Sequence, residues 1–338
     1  MAMQGGHELE RSDNGLLKGH IVAERFVIER LVAQGGMGVV YAARDRQSGE
    51  PVALKVMQTL GSAGLSLDRF EAEAQLLARL RHPAIVRYVA HGVSAGAPYL
   101  AMEWLGGETL EGRLRRGPLP LGDALAVATR VAEALAFAHG LGIIHRDVKP
   151  SNVIVDGAGQ GLTTRLLDFG IARGGEARPF VTRTGAVIGT PGYMAPEQAR
   201  GDANIDARVD VFALGCVLFE CLTGFAAFRG ATVFAVLGKL LMEEPPSLTQ
   251  AAKGAPPALA ELVSRMLAKD PAERPRDGGA LLRELERLPR EADAPGDLPA
   301  AFARLTHREQ RFVSVVVAGE VGSRDGASEL GAAATLST

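Results

Sequence analysis

The chain is poor in the residues that fasten small secreted domains and metal sites. It has two cysteines, Cys216 and Cys221, and no CxxC pair. Five positions apart on a helix, the two would point to different faces, so neither a mutual disulfide nor a zinc site is expected. Both read as reduced core residues. One tryptophan and 5 % aromatics leave no basic–aromatic surface, and the formal charge of −2 sets up no field for nucleic acid or anionic lipid. No apolar run reaches the ~18 residues that a membrane span needs. Residues 1–19 are short, polar and glycine-containing, without the apolar segment of a secretory signal, so a cytoplasmic location is expected. No internal repeat is visible.

What is present is core-forming material. Apolar residues make up 47 % of 338 residues, enough for a two-lobed enzyme with tails. Residues 1–19 read as a flexible tail. From about Ile21 to Ala101, short strand-like runs are broken by glycine turns, with one helical stretch at Ser66 to Leu80. From about Thr109 to Leu288 helical periodicity dominates. Leu125, Ala128, Val131, Ala132, Leu135 and Ala138 recur at helical spacing, and Gly140 is placed to cap that helix. The segment from Ala207 to Leu222 is apolar nearly all round, which implies a fully buried helix. The fold class is therefore α+β, a small β-rich lobe (about 20–105) followed by a larger α-helical one (about 106–288). Residues 289–305, with three prolines, read as a linker. Residues 306–338 hold one strand-like run, Arg311 to Ala318, and too little else to build a core.

Several residues are out of place for a plain core. Ala33, Gly35, Gly36 and Gly38 lie between two strand-like runs, where the glycines, lacking a Cβ, would let backbone N–H groups approach phosphate. Seventeen residues after Gly38, Lys55 stands in the strand Pro51 to Val56 on the face shared with Ala53, opposite Val52, Leu54 and Val56. A lysine in so apolar a strand needs an anionic partner. Glu73 falls three residues after Phe70 and four before Leu77, on the apolar stripe of its helix, and needs a cation. The two are expected to pair. Downstream, His145 to Asn152 (HRDVKPSN) gathers Asp147, Lys149 and Asn152 within six residues on a loop that Pro150 keeps from becoming helical. Sixteen residues after Asn152, Asp168 ends an apolar run and is followed by Phe169 and Gly170.

Taken in order, the glycine loop, VALK at 52–55, Glu73, HRDVKPSN at 145–152, DFG at 168–170, APE at 195–197 and DVFALG at 210–215 resemble the eukaryotic-type Ser/Thr protein kinases found in bacteria. The resemblance covers about residues 20–288 and implies the bilobal protein-kinase fold, ATP as phosphoryl donor, Mg²⁺, and protein substrates. It implies roles residue by residue. Asp147 accepts the proton of the substrate hydroxyl and Lys149 stabilises the transferring group. Asn152 and Asp168 hold Mg²⁺, and Lys55, oriented by Glu73, grips the α- and β-phosphates. Val40 and Ala53 cover the adenine, Ile154 lies beneath it, Met102 stands behind it, and the backbones of Glu103 and Leu105 bond its edge. Lys149 with Thr190 matches the Ser/Thr-specific pattern. Thr182 and Thr184 are expected to be autophosphorylated, with Arg146 and Arg173 receiving the phosphate. Glu197 and Arg274 are expected to pair, and Asp210 to accept N–H groups from the His145–Arg146 turn. By analogy with such kinases a homodimer through the small lobe is also expected.

Two departures stand out. Ala33 replaces the first glycine of the phosphate loop, and Gly106 and Gly107 after the hinge supply no side chain for ribose. Two rivals remain open on sequence. One is a nucleotide-holding scaffold without catalysis, which only Ala33 favours. The other is a small-molecule phosphotransferase of related fold, which the APE segment and GTPGYMAPE disfavour. Residues 306–318 weakly resemble the first strand of a nucleotidyl-cyclase-type domain without its metal-binding aspartate.

Overall fold

Alternating burial along the first hundred residues builds a sheet with two unlike faces. In a computed structural model, which describes residues 11–12, 15–35, 38–57, 67–169, 191–252 and 254–288, β1 (Arg11–Ser12) and β2 (Gly15–Leu16) form a small hairpin. The strands β3 (Ile21–Val22), β4 (Phe26–Gly35), β5 (Gly38–Asp45) and β6 (Pro51–Met57) precede helix α1 (Leu67–Ala78), and β7 (Tyr88–Ser94) and β8 (Ala97–Glu103) follow it. Six of these strands pair antiparallel in the order β3-β4-β5-β6-β8-β7. Phe26, Ile28, Tyr41, Val52, Leu54 and Ala101 fill one face. On the other face Met57, Leu100 and Met102 pack with Phe70 of α1. Lys55 belongs to this second face, in register with Leu100. The helix is three residues shorter than its pattern suggests; Leu80 is still buried, on the turn that follows it.

The second lobe contains β9 (Glu108–Thr109), α2 (Leu110–Leu114), α3 (Leu121–Gly140), β10 (Val153–Asp156) and β11 (Thr163–Leu166). It continues with α4 (Pro196–Arg200), α5 (Arg208–Thr223), α6 (Val233–Met242), α7 (Leu248–Ala251), α8 (Pro257–Met266) and α9 (Gly278–Arg287). The short strands pair in the order β11-β10-β9. Helix α5 is the lobe's axis, with every residue from Val209 to Phe219 buried. Gly215 allows that packing, since a Cβ there would stand 2.9 Å from Met266 Cβ on α8. Cys216 and Cys221 are free thiols, and burial pushes both above the usual thiol range. Gly140 does not cap α3 as its position suggested. It is the last helical residue, Leu141 follows in an ordinary conformation, and Gly142 takes the left-handed one at φ +74°. Among the described residues no helix is long and apolar enough to cross a membrane.

Two ion pairs, one partly and one fully buried, brace the lobes. In the first lobe Arg25 holds Asp45 through bonds of 2.8 and 2.7 Å, and this guanidinium keeps the buried carboxyl well below the usual carboxylate range. In the second, the Arg274 guanidinium bonds Glu197 Oε1 at 2.6 Å and Oε2 at 3.0 Å, and its remaining donors reach the carbonyls of Ala268, Arg208 and Lys269. All five N–H donors of an arginine are thereby used. Removing the cation leaves the Glu197 carboxylate buried and unmatched. Arg274→Met should therefore lower the unfolding free energy by about 3–5 kcal/mol in urea titrations. A loss under ~1 kcal/mol would show that the pair does not brace the lobe.

Candidate active site

The loop from His145 to Asn152 is shaped by a carboxylate beneath it. Asp210, in the first turn of α5 and fully buried, accepts the N–H of His145 on Oδ2 and that of Arg146 on Oδ1, both at 2.7 Å. Arg146 adopts φ +64°, a left-handed conformation costly for a residue with a Cβ, and the bond to its N–H holds it there. His145 is fully buried as well. Its Nδ1 accepts the Asp147 N–H at 3.2 Å, so Nε2 carries the ring proton and donates to Leu167 O at 2.7 Å. The ring lies 4.5 Å from that of Phe169. Leu167 N donates to Asn152 O at 2.8 Å. Two loops that are far apart in sequence are thus fastened to each other immediately before Asp168.

Five polar side chains converge on this frame. Lys149 Nζ lies 2.9 Å from Asp147 Oδ2. The Asn152 amide donates from Nδ2 to Asp147 O at 2.8 Å and to Asp147 Oδ2 at 3.2 Å, which fixes the amide and leaves Oδ1 as its acceptor end. Asp168, itself left-handed at φ +47°, places Oδ2 2.8 Å from Lys55 Nζ across 113 residues of sequence. Glu73, expected to pair with Lys55, lies half-buried on α1; the carboxylate at 2.8 Å from Lys55 is that of Asp168. The ammonium needs one close anion, and the left-handed turn at Asp168 delivers that carboxylate to it.

Several of the positions expected to contact nucleotide are half-exposed. Val40 and Ala53 are partly open between the buried Val39, Val52 and Leu54, and Ile154 is partly open between Val153 and Val155. Met102 is buried with Leu100 and Phe70, and behind it a small cavity is lined by Leu77, Leu80, Val86, Tyr88, Asp168 and Phe169. Glu103 and Leu105 continue from β8, both half-buried. Gly35 and Gly38 face each other at the tip of the β4–β5 hairpin. Gly38 has φ +149°, and a Cβ on it would stand 2.4 Å from Val56 O, so this position requires glycine. Ala33 pairs with Val40 and is not among the residues of positive φ, so its methyl carries no backbone strain. Gly36, Arg173, Thr182, Thr184 and Thr190 lie outside the described residues.

Two contacts were not anticipated. Gln198 Nε2 donates to Arg146 O at 3.2 Å, tying α4 to the loop. The Tyr193 hydroxyl donates to Glu220 Oε2 at 2.5 Å, and burial raises both the phenol and the carboxyl above their usual ranges. Glu220 was visible as the one charge late in an apolar helix; its partner was not.

The donor set fits magnesium, a hard cation that takes oxygen ligands. Asp168 offers a carboxylate, and Asn152 offers a carbonyl oxygen whose direction is set by the two bonds of its NH₂ group.

Comparison with known proteins agrees with this geometry. The family model described as protein kinase domain matches residues 26–282. The serine/threonine-protein kinase PknA of Mycobacterium tuberculosis is 38 % identical over 318 residues, 90 % of this chain and 72 % of that protein. PknL of the same organism is 34 % identical over 313 residues, 91 % of this chain and 77 % of that one. The serine/threonine-protein kinase pkn3 of Myxococcus xanthus is 38 % identical over 282 residues, and the match spans about half of that relative, 51 %. The crystal structure of the M. tuberculosis PknI kinase domain superposes with a TM-score of 0.63 at 27 % identity, covering 80 % of this chain and 98 % of that one. The chain belongs to the protein kinase family, and within it to the eukaryotic-type serine/threonine kinases of bacteria.

Proposed function

We propose that this chain transfers the γ-phosphoryl group of ATP to Ser and Thr hydroxyls of proteins. The observation that carries the reading is the frame that joins Asp147, Lys149 and Asn152 to the Lys55–Asp168 pair through His145 and Leu167. Asp147 takes the proton of the acceptor hydroxyl and aims its oxygen in line with the phosphorus. Lys149, 2.9 Å away, stabilises the charge of the group in transfer. Asn152 and Asp168 hold Mg²⁺, which supplies charge neutralisation along the phosphates when bound. Lys55 and Asp168 neutralise each other at 2.8 Å; with the metal and phosphates bound, Asp168 would hold the cation and Lys55 the phosphates. Lys55 turns to the α- and β-phosphates, with Glu73 on α1 as the carboxylate that orients it. Val40 and Ala53 above, Ile154 below, Met102 behind and the backbones of Glu103 and Leu105 at the edge form the adenine seat, with Ala33, Gly35, Gly36 and Gly38 over the phosphates. Positioning and charge carry the rate, since little covalent chemistry is left to the protein.

Thr190 shapes the acceptor groove in this reading. Thr182 and Thr184 are the autophosphorylation sites, whose phosphates Arg146 and Arg173 bind to order the segment.

Asp147→Asn should cut transfer of labelled γ-phosphate to a protein acceptor by on the order of 10²- to 10⁴-fold while nucleotide still binds. Equal labelling by the parent and the variant would remove the proposed base. Mass spectrometry of ATP-treated protein should find phosphate on Thr182 or Thr184. An active enzyme carrying none on either would remove the switch.

A further inference from the structure

His139, the penultimate residue of α3, belongs to none of the motifs above, yet it touches the carboxylate that shapes the catalytic loop. Its side chain is 5 % exposed, and Nε2 lies 2.9 Å from Asp210 Oδ2. On the other side of the ring, Nδ1 receives the backbone N–H of Gly278 at 3.0 Å. A backbone N–H can only donate, so Nδ1 is bare, and Nε2 carries the ring proton and donates it to Asp210. Gly278 is the first residue of α9, and its N–H is one of those the helix cannot satisfy internally. The approach is possible because the residue is glycine. A Cβ at 278 would stand 2.5 Å from Ala136 N and 2.8 Å from Leu135 Cβ, prising the start of α9 away from α3. Asp210 thus accepts three donors: His139 Nε2 and His145 N on Oδ2, and Arg146 N on Oδ1.

We infer that His139 is a positioning residue for phosphoryl transfer, setting the carboxylate of Asp147 through Asp210 under the control of the N-terminus of α9. The inference rests on the kinase reading above. A carboxylate can turn about its Cβ–Cγ bond, and the imidazole N–H pins the oxygen that His145 N shares. With Asp210 fixed, Oδ1 stays on the Arg146 N–H and holds that residue at φ +64°, directly before Asp147. Without the third donor only the two backbone N–H groups hold the carboxylate, the costly left-handed turn is less firmly fixed, and Asp147 spends less time in line.

Three variants of the full chain separate positioning from bulk stability. His139→Gln can bring an amide N–H to the place of Nε2 and keep the donation to Asp210. His139→Asn is shorter, so it can keep an acceptor for Gly278 but cannot reach Asp210. His139→Leu does neither. For the Asn and Leu variants kcat per active site should fall on the order of 10-fold, with KM for ATP moving less than about 2-fold, while Gln stays within about 3-fold of the parent. Nitrogen-15 NMR of the parent should show His139 protonated at Nε2 alone. Unchanged kcat in a folded Leu variant, a Gln variant as slow as Leu, or a proton on Nδ1 would each overturn the assignment. A parent chain that transfers no phosphate would instead remove the kinase reading and this role with it, whereas an active parent with unaffected variants removes the role alone.

Discussion

Lys55 and Asp168 come from different lobes and 113 residues apart, and they meet at 2.8 Å in a cleft where each is mostly shielded from water. An ammonium or a carboxylate so placed must be matched, and here each is the other's match. Much of the site's architecture follows from that requirement. The strand that carries Lys55 must present it on the face away from the first lobe's own core, and the backbone at Asp168 must enter a left-handed conformation to meet it. A pair of this kind is also exchangeable. With nucleotide and metal bound, Asp168 would hold the cation and Lys55 a phosphate, so neither charge would be left unmatched.

The second requirement is rigidity below the cleft. Asp147 sits on a loop with Arg146 left-handed, a geometry that relaxes unless something holds it. The holding groups are scaffold elements: Asp210 on α5, Gln198 on α4, and the His145 ring between the loop and Leu167. Arg274, with all five donors used, fixes the segment containing Glu197 to the same helical lobe. The chemistry therefore rests on residues whose own contacts are buried and non-reactive.

Much of this was legible in the sequence. Alternation placed Lys55 on the face away from Val52 and Leu54, all-round apolarity marked α5 as buried, and the ordered motifs pointed to the family that the comparisons show. What escaped was the Lys55–Asp168 contact. Helical spacing put Glu73 on the apolar stripe, but no spacing rule links Lys55 to a carboxylate 113 residues away. That contact depends on the backbone turn at Asp168, and nothing in an Asp-Phe-Gly string reveals a positive φ on the aspartate. Gly140 misled for a similar reason: a glycine at a helix end is a natural cap, but the chain uses Gly142, two residues on. Tyr193–Glu220 and His139–Asp210 join residues 27 and 71 positions apart, with no local pattern linking them.

The account turns on the exchange at Lys55 and Asp168. The direct test is a crystal structure with Mg²⁺ and a non-hydrolysable ATP analogue. Oxygens of Asp168 and Asn152 should bind the metal at about 2.0–2.1 Å, with Lys55 Nζ moved from Asp168 onto a phosphate oxygen. Nucleotide bound in the cleft with the Lys55–Asp168 contact intact, or bound elsewhere, would contradict it.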